Sequence, residues 1–368
     1  MLQHCHPVCR DCYTPATTVQ HGYVKLGMTQ VNLMRSFNSH SDLRPEISEC
    51  LWRIVRSRHP LPLRARRISP ARPTGIVGLV VPQMVEGLFD GPFFPSLIQA
   101  VAEVCSQHHY VPILTLVAGE DERKTLARVF CTGKFDGLIV SSLALDTSTW
   151  RCMQMRRRPC VVVGRHPDYQ HVPSVDVDNV AGAQRMTEYL LGLGHRRIAA
   201  IMPFLDDVLF KDGGSLETLR GSDRFEGYCR GLARAGLECD AALVAETDVS
   251  VEGGFKAMMR LLDARPTAVF AAGDVMAIGA LKALEQTGRL VPDDVSVAGF
   301  GDIPAAALST PSLTTVRQDV GALGRVAAEQ LMTLLVHPGT PTQPRLLPTC
   351  LIVRGSTAFA TETHGAQN

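Results

Sequence analysis

IVGLVVP, residues 76–82, is the stretch on which the fold turns. Seven apolar or glycine residues without a charge, closed by a proline, read as a strand buried on both faces. A run of helical period follows at FFPSLIQAVAEVCSQHH (93–109). One strand leading into one helix is the unit from which parallel sheets are built, so the question is whether it repeats.

It does, in both directions of scale. VPILTLV (111–117), FDGLIVSS (135–142) and PCVVVG (159–164) are further apolar strands, separated by helical segments expected at 119–132 and 145–157. After VPSVDVD a helix is expected over NVAGAQRMTEYLLGLG (179–194), which stops at glycine. RIAAIMP (197–203), AVFAAG (268–273) and VSVAGFGD (295–302) continue the strands, with helices near 223–237, 252–263 and 274–287. So many nearly continuous Val/Ile/Leu strands exceed one open sheet. The expected class is α/β, with two lobes of doubly wound parallel sheet.

The chain of 368 residues can bury cores of that size. Its net charge of +1 conceals an asymmetry. Residues 1–74 hold 11 Lys/Arg against 4 Asp/Glu, and the remainder holds 26 against 32. A basic head on an acidic body suits a head that meets nucleic acid, because Lys and Arg displace counterions from phosphates. A solvated basic tail would carry the same charge. Eleven cysteines, an odd number without the dense spacing of a secreted scaffold, point to a reducing compartment. The start has no uninterrupted apolar signal segment, and no apolar run reaches the ~18 residues of a membrane span. The expected location is cytoplasmic, away from membranes.

Within the head, GMTQVNLMRSFN (27–38) carries a glycine turn, a capping threonine and a helix pattern. Thr18 would cap a first helix and Thr29 a second. Leu33 and Phe37 fall on the inward face of that second helix, while Gln30, Val31, Asn32 and Arg35 fall outward. Amides and an arginine on an exposed first turn are what a groove-reading helix needs. A third helix over 45–56 would present Ile47, Leu51, Ile54 and Val55 on one face. A plain amphipathic hairpin remains the alternative. His4, Cys5, His6, Cys9 and Cys12 resemble metal ligands, but no second paired knuckle accompanies them, so no metal site is assigned. RSRHPLPLRARRISPARPT (56–74) has the Pro/Arg composition of a linker, and 204–222 that of a surface loop.

In the body, two lobes whose strands end toward a shared crevice offer a small-ligand site. Candidate lining residues are Gln83, Phe93, Phe94, Asp178, Arg224, Asp274 and Asp302. Arg224, just after a loop, can pair a ligand oxygen bidentately or form a surface salt bridge. Asp274 can face a ligand or simply cap its helix. No nucleophile–base pair, phosphate loop, HExxH or GxGxxG stands at a strand–helix junction, so an enzyme is the least supported class and no catalytic residue or cofactor is assigned.

Taken in order, TGIVGLVVP, PFF, FDGLIV, VDVDNVAGA with LGHRRIA, RFEGYCRGLARAGL, PTAVFAAGDVMAIGALKAL, VPDDVSVAGFGD, PSLTTVRQD and LPTCLIVRGST resemble LacI/GalR-type regulators over roughly 74–357. That resemblance implies an N-terminal three-helix helix-turn-helix head and a two-lobed periplasmic-binding-protein-like body that the chain crosses three times. It further implies a homodimer, a double-stranded DNA operator and a small-molecule effector in the cleft. The expected division is an N-terminal extension 1–17, a DNA-binding domain 18–58, a hinge 59–74, an effector domain 75–357 and a tail 358–368. Lobe one is expected at 75–176 plus 303–320, and lobe two at 177–302 plus 321–357. Thr29, Gln30, Val31, Asn32, Arg35 and Asn38 would meet DNA; Gln83, Phe93, Phe94, Arg224, Asp274 and Asp302 would meet the effector.

Departures accompany the match. Gly22 and Tyr23 stand where the family has a Val-Ala pair, and His59-Pro60-Leu61-Pro62-Leu63 replaces its Gly-Tyr-x-Pro-Asn hinge entry. Gly273 and Gly301 stand where the family carries a cleft Asn and a cleft Asp. A DNA-binding regulator, a repressor whose operator affinity a sugar-like metabolite controls, is the expected function. The alternative is a soluble ligand-binding relative that has lost DNA binding.

Overall fold

The computed structural model describes residues 73–82, 92–117, 135–141, 158–164, 173–203, 222–341 and 343–361. The expected head, the hinge up to residue 72, helices 119–132 and 145–157, all of the loop 204–222 but its last residue, and Gln83 lie outside the described residues.

Two six-stranded sheets organise the body. In the first, β1 (Ile76–Pro82), β2 (Val111–Val117), β3 (Gly137–Ser141), β4 (Cys160–Val163), β5 (Ser174–Val177) and β11 (Arg345–Leu347) lie in the order β11-β5-β4-β3-β1-β2. Every pairing in it is parallel. In the second, β6 (Ile198–Pro203), β7 (Val244–Thr247), β8 (Ala268–Ala271), β9 (Ser296–Gly301), β10 (Thr314–Arg317) and β12 (Cys350–Ile352) lie in the order β12-β10-β9-β8-β6-β7. Only β12 runs antiparallel, against β10.

The reading of IVGLVVP as a strand buried on both faces holds: Val77, Leu79, Val80 and Val81 are all buried. Helix α1 (Phe93–Gln107) covers that sheet through Leu97, Val101 and Val104, and α7 (Val320–Val336) joins it through Leu323, Ala327 and Leu331. Each leucine or valine among them withdrawn from water contributes roughly 1.5–3 kcal/mol. Lobe two is built by α2 (Asn179–Gly192), α3 (Asp223–Arg234), α4 (Val251–Leu261), α5 (Asp274–Gln286) and the short α6 (Pro304–Leu308). Its core gathers Met186, Leu190, Phe225, Tyr228, Met258, Phe270 and Leu284. Helices α2 and α3 touch closely because residue 227 is glycine: a Cβ there would fall 2.3 Å from the Val180 carbonyl oxygen.

The expected lobe boundaries need correction after residue 302. Residues 304–317 belong to lobe two, since β10 pairs with β9. Residues 320–347 belong to lobe one, since α7 packs in its core and β11 pairs with β5. The chain then returns to lobe two at β12. The physical reason is that α7 is apolar on a face matched to α1, which strand counting in the sequence does not reveal.

Three crossings therefore join the lobes among the described residues: at Asp178, at Gln318-Asp319 and at Pro348-Thr349. The first two are also helix starts. The Asp178 carboxylate accepts from Ala181 N (2.9 Å) and that of Asp319 from Ala322 N (2.7 Å), each capping the helix that follows. The first and third crossings are bonded to each other, Asp178 N donating to Leu347 O at 2.8 Å.

Candidate functional site

The parallel strands of each sheet end at one edge, and the residues just beyond those ends are where open α/β sheets take ligands. In lobe two that edge is occupied by Ala272, Gly273, Phe300, Gly301 and Gln318, with the first turns of α2 and α3 beside them.

Arg224 is the centre of this region. It is the second residue of α3, and its half-buried guanidinium lies over the Phe300 ring with 4.0 Å from Cζ to the centroid. Its Nε donates to Asn179 Oδ1 (2.9 Å), Nη1 to the Ala272 carbonyl (2.5 Å) and Nη2 to Gln318 Oε1 (3.4 Å). Asn179 follows the first crossing and Gln318 lies in the second, so a single side chain joins both. Burial pushes the guanidinium down to about 10, opposed by the carboxylates of Asp176, Asp274 and Asp223. It stays charged at neutral pH.

Asn179 is itself fixed. Its Nδ2 donates to Asp176 Oδ1 (3.3 Å) and to the Val177 carbonyl (3.2 Å), which leaves Oδ1 aimed at Arg224. The long, weak bond in the set is the one to Gln318. Arg224 thus retains donor capacity on Nη2 while its ring face and Nε are held, an arrangement that can receive a ligand oxygen without losing its orientation.

The two aspartates expected beside it are placed differently. Asp274 is the first residue of α5 and not its cap, which is Gly273. Its carboxylate turns into the lobe, accepting Thr315 Oγ1 (2.5 Å) and the Ile303 amide (2.9 Å), and only 2% of the residue is exposed. Gly299 makes the room: a Cβ there would lie 2.3 Å from Asp274 Oδ1. Burial raises the Asp274 pKa, with the bonds from Thr315 and Ile303 pulling it back.

Asp302 sits in the left-handed region at φ 57°, directly after Gly301 at φ 135°. Its two oxygens take Arg354 Nη2 and Arg317 Nε, both at 2.6 Å. Burial would raise this carboxyl, but the two arginines outweigh it and hold it below the usual carboxylate range. Asp302 therefore locks the end of β9 to β10 and to the C-terminal segment. Both aspartates shape the floor on which Arg224 rests.

Phe93 and Phe94 open α1 in lobe one, half-buried, with ring centroids 5.2 Å apart and planes at 86°. Both pack on the lobe-one core. Asn179, Phe300 and Gln318 were not singled out in sequence. Their signal was present, since VDVDN, VAGFGD and VRQD are among the ordered motifs, but nothing local shows that segments around 179, 300 and 318 converge on one guanidinium.

Known proteins bear on this arrangement. The model of a periplasmic binding protein-like domain matches residues 187–357. The chain is 32% identical over 335 residues to the HTH-type transcriptional regulator CelR of Thermobifida fusca, covering 90% of this chain and 95% of that one. It is 32% identical over 271 residues to the HTH-type transcriptional repressor CytR of Escherichia coli K12, covering 72% and 76%. Among solved structures, a CelR–cellobiose complex superposes with a TM-score of 0.70 at 29% identity, covering 93% of this chain and 100% of that one.

Proposed function

The chain belongs to the LacI/GalR family of DNA-binding transcriptional regulators, and from that premise we propose that it is a cytoplasmic, homodimeric repressor governed by a sugar-like metabolite bound between its lobes. The observation that carries the effector site is Arg224, stacked on Phe300 and bonded to residues of the first and second crossings. A ligand oxygen that draws on this guanidinium acts directly on the segments that set the angle between lobes. Ligand would then favour one interlobe arrangement and change operator affinity by its differential binding energy. Cellobiose is what the similar CelR structure holds, and it is the first probe to use. The Gly273 and Gly301 departures argue that the preferred ligand differs in which hydroxyls it presents. Gln83, Phe93 and Phe94 are the proposed contacts from lobe one. Asp274 and Asp302 support the site through the floor.

DNA binding is assigned to residues 18–58, with Thr29, Gln30, Val31, Asn32, Arg35 and Asn38 reading a near-palindromic operator. The similarity to CelR covers 90% of the chain, more than residues 75–368 can supply, so it reaches into this head. No enzymatic step is assigned. The experiment is a thermal-shift series with cellobiose, ribose and other sugars on the full chain, since a ligand of the native state raises its apparent stability. Arg224→Ala should abolish any shift found; a shift of unchanged size would remove Arg224 from the site.

The second reading, a ligand-binding relative without DNA binding, is motivated by Gly22, Tyr23 and the proline-rich hinge. A tyrosine in a small-residue slot costs about 1–3 kcal/mol in a unit this small. A 1–74 fragment that is helical and protease-resistant with DNA would count against it.

A further inference from the structure

Thr349 lies in the third crossing, between β11 in lobe one and β12 in lobe two. The residue is buried at 8% exposure, and its hydroxyl oxygen has no hydrogen-bond partner among the described residues. Its backbone is held firmly: Arg185 of α2 donates Nη1 to the Thr349 carbonyl at 2.7 Å, and two residues earlier Leu347 O accepts from Asp178 N in the first crossing. The hydroxyl rests above Gly182 of α2, where a Cβ would stand 2.8 Å from Thr349 Oγ1 and 3.0 Å from the Phe300 ring. Arg224 is stacked on that same ring, 4.0 Å from Cζ to the centroid. Thr349 and Phe300 thus crowd the same glycine, and Phe300 carries the guanidinium.

A buried hydroxyl without a partner raises the free energy of the arrangement that contains it. Most such groups are paired, so one that is not, placed in a segment that joins the two lobes, marks an arrangement under bias. We propose that Thr349 is a positioning residue for the effector response: its unpaired hydroxyl destabilises the interlobe arrangement described here relative to a second one in which it gains a partner. The third crossing then reports, through Phe300, on what Arg224 holds. This rests on the reading of the cleft as an effector site, and it names the segment that transmits the signal. Ligand need supply only the differential between two arrangements already close in energy.

The test uses neither ligand nor DNA, so its outcome is separate from that of the thermal-shift experiment. Dyes are attached through non-natural residues at Gln107 in lobe one and Gln286 in lobe two, both exposed, and single-molecule energy transfer is recorded on the full chain. Thr349→Val keeps the shape and removes the hydroxyl. It should raise the share of the arrangement described here by about tenfold relative to the other. Thr349→Ser keeps the hydroxyl and should stay within about twofold of the parent chain. Arg185→Ala frees the Thr349 carbonyl and should shift the ratio, and it serves as the deciding variant if the valine chain does not fold. Equal ratios in the parent and the valine variant overturn the proposal, as does a serine variant that follows valine. An unmoved ratio in Arg185→Ala, or one invariant transfer efficiency in every variant, overturns it too.

Discussion

Single glycines and a single arginine decide the shape of the site. Gly299 admits the Asp274 carboxylate, with Leu313 packed 3.0 Å from where a Cβ would be. Gly299→Ala should therefore destabilise the chain by about 1–3 kcal/mol, seen as a lower urea midpoint with an unchanged slope. A midpoint equal to the parent's would mean that Asp274 can turn away without cost. At the same scale, Arg224→Lys should weaken any ligand shift and not restore it, because an ammonium cannot reproduce three directed donors over an aromatic face. Arg224 was legible in sequence as a charged residue opening a helix after a loop. The placement of Asp302 was not, because it depends on Arg317, 15 residues on, and on Arg354, 52 residues on, which local pattern does not join to it.

Elements meet through features that local pattern reports only in part. The α2–α3 crossing rests on Gly227, whose added Cβ would strike backbone, an atom that cannot move aside cheaply. Gly227→Ala should cost at least as much as Gly299→Ala in the same denaturation experiment. His195, between α2 and β6, ties three segments together: Nδ1 to Thr267 Oγ1 (3.0 Å), Nε2 to Ser296 Oγ (3.1 Å) and to the Ala358 carbonyl (3.1 Å). Burial lowers its pKa, against the upward pull of the Ala358 bond. The unfolded chain therefore takes up a proton at a higher pH, about 6.5, than the folded one. The stability from neutral His195 is present above that pH and is lost as pH falls through the folded value. Melting temperatures between pH 7 and 5 should fall more steeply for the parent chain than for His195→Gln; parallel curves would refute this.

Across the whole molecule, the last crossing returns only a short segment to lobe two, yet much hangs on it. Ser356 Oγ donates to Val297 O (2.6 Å) and accepts from Thr314 N (2.8 Å), and Val297 N donates to Ser356 O (2.8 Å). A chain ending at Thr349 should show faster amide exchange in β9 and β10 while α1 and α7 in lobe one keep their protection. Uniform loss of protection would show instead that the lobes unfold as one unit. The charge division predicts that specific DNA binding weakens linearly in log affinity against log salt, as phosphate contacts require. Fluorescence anisotropy on candidate operators tests it, and a salt-insensitive signal would sink DNA binding by the head.

The sequence by itself determined the class of fold, the doubling into lobes and the family, because buried parallel strands are apolar throughout and helices carry their own period. It placed β1 to β4, β6, β8, β9 and α1, and it marked Arg224. It did not determine which lobe owns α7 and β11, nor where the carboxylates of Asp274 and Asp302 turn, nor that Asn179, Phe300 and Gln318 gather on one guanidinium. Those follow from packing between segments far apart in the chain, and only the tertiary structure brings such segments within bonding distance.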